Sequence, residues 1–360
     1  MPVRTHQTPL GAGGLPAPGD TRPGGLLDGE DLAVVGGLGT DVPATLAWVT
    51  ETARRLPGPG EGRTAELWAS LAAVAAVDVG VARALEPHLD ALAILAQAPG
   101  SVALDVVGAG QDSTWGVFAA EAPTARLEAS GTDGAGWSLD GTKPWCSLAG
   151  RLSHALVTAW TDDGRRLFAV DLRQPSVDPA DGPWVARGLA QVVSAPVRFS
   201  AARAVPVGAA GWYLERPGFA WGGIGVAACW WGGAVGLART LWESLGRREP
   251  DQLALAHLGA VDVALGAARA TIAEAAAAVD DGVDGAAAAV IARRVRTAVA
   301  DAVEEVQRRC AHALGPGPLT TDEAFARRVA DLSLYVRQHH AERDQAALGR
   351  DLLAAGERPW

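Results

Sequence analysis

The chain has 360 residues, of which 49% are hydrophobic and 20% charged, with a formal net charge of −10. This length allows two or three domains with a sizeable core, and the balance excludes a disordered chain. The acidity gives no bulk attraction to nucleic acid or to an anionic membrane. An anion would need a local basic spot or a helix N-terminus.

Residues 1–27 are rich in Pro and Gly and contain no apolar run of signal-peptide length, so a disordered lead-in is expected there. Residues 28–110 form an Ala/Leu-rich, helical first region. "TAELWASLAAVAAVDVGVARALEPHLDALAILAQA" is apolar on all sides and predicts one or two largely buried helices, with a break or kink at Pro87. His88 there reads as a hydrogen-bonded core histidine.

From 111 to 208 short runs such as "TWGVFAA", "GWSLDGTKPWCS", "HALVTAW" and "RRLFAVDL" alternate with Gly, Pro and Asp. This spacing predicts an antiparallel β domain, with hairpin turns at "TDDG" and "LDGT". From 209 to 360 the pattern returns to helix. Long alanine-rich segments are broken by "RREPD" and "DGVDG" and ended by "GPGPL", and a last helix starts near "TTDEAF". The expected fold class is α+β: an N-terminal helical domain, a middle antiparallel β domain and a C-terminal four-helix bundle. "GGIGVAACWWGGAVGLA" is short for a membrane span and reads as a buried helix. Trp230 and Trp231 read as packing, with Trp221 a possible cleft residue, and Arg293, Arg294 and Arg296 as a solvated helix face. Cys146, Cys229 and Cys310 are far apart and lack CxxC spacing, which argues against disulfides or structural zinc and fits a reducing cytoplasm.

The helix–β–helix order resembles the acyl-CoA dehydrogenase family, and "GWSLDGTKPWCSLAGRLSHALVTAW" resembles that family's middle-domain stretch. The resemblance implies FAD in a cleft between the β domain and the bundle. It places Trp145 beside the isoalloxazine, Ser147 near the flavin N5 edge, and Ala119 and Ala120 in backbone contact. Arg247 or Arg248 would meet the diphosphate, with His312 and Gly315 at the flavin edge beside the "GPGPL" turn. It also implies a small-molecule substrate, with an acyl-CoA as the family's usual case, and a homodimer or homotetramer through the bundle, with a hetero-oligomer as the alternative. A flavin needs a flat apolar wall and polar groups near its reactive edge.

The chain departs from that family in two places. "FAAEAPTARLEA" keeps Glu121 and Pro123 but lacks the Gly-Ser-Asp tail of the family's flavin loop, which weakens the case for a standard CoA thioester site. The family's glutamate base has no counterpart. Its slot in the C-terminal turn "LYVRQHH" falls on Val336 or Arg337, and the other location, "GIGVAACWW", contains no acid. Arginine cannot accept a proton at neutral pH, whereas histidine can. His339, His340 and Arg337 are therefore the candidate catalytic residues. A metal on His339 and Glu342 and a plain surface helix start are the competing readings. The function reads as an FAD-dependent oxidoreductase acting on a non-standard acyl substrate. The alternatives are a flavin monooxygenase-type enzyme or an inactive dehydrogenase-like subunit or scaffold.

Overall fold

The computed structural model describes residues 26–360 except 180, 181, 248, 357 and 359. Positions 1–25 of the expected lead-in lie outside them, as does Arg248. Four helices come first: α1 (Gly29–Leu38), α2 (Val42–Ala53), α3 (Thr64–Val77) and α4 (Val79–Gln97). Asp28 caps α1 by accepting from the Glu30 and Asp31 N–H groups, and Asp31 returns a bond to the cap, a reciprocal capping box.

The break between α3 and α4 falls at Asp78, not at Pro87. Asp78 leaves the helical region and caps α4 by accepting from the Val81 N–H at 3.0 Å. Arg327, far along the chain, pairs with the same carboxylate. Pro87 lies inside α4. Its missing N–H removes one helical bond, the one to the Arg83 carbonyl. His88 is buried, as expected, and its Nδ1 accepts from the Trp115 N–H at 3.2 Å, tying α4 to the first strand.

The strands are β1 (Trp115–Phe118), β2 (Leu127–Thr132), β3 (Gly136–Lys143), β4 (His154–Thr161), β5 (Gly164–Asp171), β6 (Val177–Pro179) and β7 (Val197–Val207). They pair in the order β1-β4-β2-β3-β7-β5, and β4 also pairs with β5, so the sheet closes on itself. The sheet is not wholly antiparallel. β1 and β2 both run parallel to β4, with Trp115 opposite His154 and Glu128 opposite Trp160. A parallel neighbour needs a long connection, and here the β2–β3 hairpin supplies it between β1 and β4. The "TDDG" turn joins β4 to β5 as expected. "LDGT" is instead inside β3, where Gly141, at φ +119°, lies at a bulge against β7. The reversal comes earlier, between Thr132 and Gly136.

The C-terminal helices are α5 (Trp212–Glu215), α6 (Pro217–Gly246), α7 (Gln252–Asp280), α8 (Gly285–Leu314), α9 (Gly317–Thr321), α10 (Glu323–Tyr335) and α11 (Glu342–Ala355). "RREPD", "DGVDG" and "GPGPL" fall at the helix boundaries, and Asp322, rather than a threonine, caps α10. α6 is the central strut, packed between α3 and α8. Its glycines permit close backbone approach: a Cβ at Gly232 would lie 2.1 Å from the Ala72 carbonyl oxygen, and one at Gly236 2.6 Å from that of Ala76. The Trp230 and Trp231 side chains are buried in the same helix. The apolar stretch in α6 is therefore core. α7 is as apolar but largely faces outward: Leu253, Leu255 and Val263 are exposed.

Candidate active site

At the end of β1, Ala119 and Ala120 lie near the surface of the barrel, and Arg165 donates to the Ala119 carbonyl. Below them Lys143, 1% exposed, donates to Glu121 at 2.6 Å and to Thr158 at 2.8 Å. This ion pair fixes the loop after β1 to the end of β3. The chain then turns sharply. Trp145 sits at φ 58° and is 62% exposed, and Leu148 sits at φ 59°. Non-glycine residues seldom hold this backbone conformation without a stabilising context. Here the Cys146 N–H donates to the Ala195 carbonyl and the Leu148 N–H to that of Val193. The turn buries Cys146 and leaves the indole of Trp145 outside.

Ser147 is bonded on both sides. Arg83 Nη2 donates to its hydroxyl at 3.0 Å, and its oxygen lies 2.7 Å from that of Ser194, whose own hydroxyl donates to the Val192 carbonyl. The Ser147 proton is thus committed to Ser194. Its backbone N–H also points back, to the Trp145 carbonyl at 3.2 Å. Both donors of Ser147 are thus engaged within the protein, and Arg83 is the charged group that holds its hydroxyl.

From Arg83 a line of stacked groups crosses into the bundle. Its guanidinium lies 5.6 Å from the Tyr335 ring centroid, and Tyr335 packs edge-on against Trp230 at 6.1 Å. The Arg296 guanidinium sits 4.7 Å over Trp230. Arg296 donates to the carbonyls of Gly223 and Gln338 at 2.8 and 2.9 Å, which joins α6 and α8 to the turn after α10. Arg296 is therefore not part of a solvated face, although Arg294 is exposed and Arg293 pairs with Asp351.

The structure separates the three candidate catalytic residues. Arg337 is exposed and pairs with Glu304. His340 is exposed beside Asp344. His339 is buried, with Nε2 3.1 Å from the Thr297 hydroxyl. Burial lowers its pKa from the usual histidine value, against the opposing pull of Asp344. Of the three, His339 alone belongs to the interior next to Arg296. Val336 is also buried. The metal reading fails on geometry: His339 precedes a turn at Ala341 (φ 49°), and α11 starts only at Glu342, so the two do not share a helix face. No group of three His, Cys, Asp or Glu suited to a metal occurs among the described residues.

A carboxyl that the sequence reading passed over sits on α4 instead. Glu86 is 8% exposed, and burial raises its pKa to about 8 against the opposing pull of Arg83 and Arg296. It lines a cavity of about 30 Å³ together with Trp68, Asp90 and Trp221. Trp221 thus lines a cavity, as its position suggested, and its Nε1 donates to the Val283 carbonyl. Asp90 receives Arg216, which also donates to Gln97. Arg83, Glu86, Asp90 and Gln97 form a polar stripe at helical spacing on an otherwise apolar helix. That spacing is the signal in the sequence that would have found them.

The remaining expected cofactor residues group elsewhere. Arg247 ends α6, while His312 and Gly315 end α8, where the His312 ring meets that of His257 at 5.9 Å. Both are at the same end of the bundle, and no contact among the described residues joins them to Trp145. A further cleft of about 600 Å³ lies between the Cys146–Arg151 turn and the α1–α2 junction.

No family model and no curated protein matches the chain. Solved structures do. KijD3, described in complex with FMN and dTDP-3-amino-2,3,6-trideoxy-4-keto-3-methyl-D-glucose, aligns at 21% identity over 97% of this chain and 98% of its own, with a TM-score of 0.77. Butyryl-CoA dehydrogenase from Megasphaera elsdenii aligns at 16% identity over 90% and 97%, with a TM-score of 0.74. PigA, described with FAD and proline, aligns at 14% identity over 91% and 93%, with a TM-score of 0.73. At these identities the likeness is one of fold, and it extends over nearly the whole chain: this protein has the acyl-CoA dehydrogenase fold, in a divergent form.

Proposed function

We propose that the protein is a flavin-dependent oxidoreductase acting on a small molecule. The observation that carries this reading is the turn at 145–147: an exposed indole held in a left-handed backbone, next to a hydroxyl fixed by Arg83. These groups fit a flat aromatic cofactor with a polar edge. Trp145 would support the ring, and Arg83 would donate at its edge. A bound flavin would supply the redox chemistry, and the chain's own residues would bind and orient it and keep water from the stacked interior.

FAD is the proposed form. Its adenosine half would need a second anchor, and Arg247, His312 and Gly315 at the bundle end are the candidates, whereas FMN would need none of them. The outward apolar face of α7, with mean hydropathy 1.3, supports a homo-oligomer. The three cysteines are free and buried, in keeping with a reducing cytoplasm. The substrate is not a standard acyl-CoA in this reading, because none of the residues in the C-terminal turn places a carboxylate in the interior. A monooxygenase-type reaction is the nearest alternative within the same reading. The inactive-subunit reading is disfavoured by the buried, cavity-facing Glu86.

The test is the absorbance spectrum of the purified protein. Flavin bands, with FAD or FMN identified after heat release, support the reading. A colourless protein that takes up neither flavin overturns it. Anaerobic titration with acyl-CoAs, compared with oxygen consumption in the presence of reduced nicotinamide, then separates dehydrogenation from oxygenation.

A further inference from the structure

The buried carboxyls of Asp78 and Asp331 each have a donor: the Val81 N–H and Arg327 serve Asp78, and the Leu189 N–H serves Asp331. Glu86 differs. Its side chain makes no hydrogen bond or ion pair with any described residue. It faces the cavity of about 30 Å³, which is the volume of one water or one ammonium head. The walls include two indoles, Trp68 and Trp221, and a second carboxylate, Asp90, and no lysine or arginine lines it. A buried carboxyl without a donor needs a proton or a cation. A cation bearing N–H bonds supplies charge and donors together, and indole faces attract it further.

We propose that this cavity is a subsite for the ammonium head of an amine, with Glu86 as its hydrogen-bonding and proton-accepting partner. The proposal rests on the flavin reading for its place in a reaction and names the substrate class of that site. The step is a proton transfer. An N–H bond of the ammonium breaks, an O–H bond forms on the Glu86 carboxylate, and the nitrogen keeps the electron pair. No oxidant is consumed, and the amine is left with the free lone pair that oxidation at nitrogen or at the adjacent carbon requires.

The titratable and charged groups around Glu86 are Arg83 and Asp90 on α4, Tyr213 on α5, Cys229 on α6, Arg296 on α8 and Tyr335 on α10. The two arginines direct N–H groups elsewhere, to Ser147 and to the carbonyls of Gly223 and Gln338. Asp90 is already matched by Arg216. With its pKa near 8, the empty site holds a neutral Glu86 at pH 7, and a bound cation displaces that proton. Cation affinity then rises with pH until the carboxyl is ionised.

The probe is methylammonium, titrated against sodium and tetramethylammonium at matched ionic strength, with thermal unfolding as the readout. The expected result is a dose-dependent rise in Tm with methylammonium only. Its apparent affinity should increase by about tenfold per pH unit below the carboxyl pKa. Glu86→Gln should abolish the response. If that variant does not fold, Trp221→Leu, which keeps the acid and removes one indole face, should weaken the response several-fold. No response in the wild type, an equal response to all three cations, or a response undiminished by substitution overturns the proposal. Flavin absorbance is recorded on the same samples. A coloured protein without a methylammonium response overturns this inference alone, and a colourless protein with one overturns the flavin reading alone.

Discussion

Arg83 Nη2 donates to the Ser147 hydroxyl at 3.0 Å, so a helix of the N-terminal region holds the turn that exposes Trp145. In the flavin reading Arg83 positions that turn and supplies the donors that Ser147 cannot. Arg83→Met is expected to weaken flavin binding by about tenfold or more, the scale of one lost charge-assisted hydrogen bond. Arg83→Lys should recover part of it. Equilibrium titration with FAD, followed by fluorescence quenching, measures this. Equal affinity in wild type and Arg83→Met would show that Arg83 has no part in flavin binding.

Glu86 makes stability fall as pH rises. Its pKa is about 8 in the fold against 4.5 ordinarily, so between these values the native state holds a proton that the unfolded chain has lost. Unfolding releases that proton, and stability therefore declines with pH across the window and is level outside it. Glu86→Gln lacks this dependence. Its stability relative to wild type should grow from pH 5 to pH 8, as read from urea midpoints at each pH.

His88 acts in the opposite direction. Burial lowers its pKa to about 4 from 6.5, so the unfolded chain binds the extra proton, and stability is lost as pH falls through that range. His88→Ala should remove this acid sensitivity. It should also cost about 2 kcal/mol at neutral pH, because the Trp115 N–H loses its acceptor in a buried place. Denaturant unfolding at pH 5 and pH 7 separates the two effects.

The adjacent histidines should behave differently. His340→Ala, at an exposed ring, is expected to change stability by no more than about 0.5 kcal/mol. His339→Ala removes a buried partner of Thr297 and should cost about 1–3 kcal/mol. Thermal melts of the two variants, side by side, test this, and equal effects would contradict the burial difference.

Gly232→Ala would place a methyl group 2.1 Å from the Ala72 carbonyl oxygen, where two helix backbones meet. The backbone there cannot swing aside as a side chain would. A loss of about 2–3 kcal/mol is expected. Gly246→Ala, with nothing within 4 Å of the added carbon, is the control that should not destabilise.

The broad architecture could be read from the chain because helix and strand periodicities, and the Gly/Pro/Asp breaks between them, are local signals. The turn at Trp145 was not legible in this way, because the carbonyls of Val193 and Ala195 and the guanidinium of Arg83, all distant in sequence, hold it. The Asp78 break was missed because Pro87 is the stronger local breaker, yet the capping carboxylate with its distant Arg327 decides the boundary. Arg296 reads as surface beside Arg293 and Arg294, and only the packing of α6 against α8 places Trp230 beneath it. Glu86 hides for a similar reason. The helical spacing of Arg83, Glu86 and Asp90 marks a polar stripe on α4, but only Trp221, far along the chain, closes a cavity over Glu86. The stripe can be read from spacing, and what it faces cannot.

The proline inside α4 has an effect beyond helix geometry. Arg83 and Pro87 both line a small void that also reaches Phe118 and Ser147. Pro87 has no N–H to give the Arg83 carbonyl oxygen, so α4 lacks its usual i to i−4 bond at that turn. The guanidinium that holds Ser147 thus starts from a turn of helix less tightly tied than its neighbours.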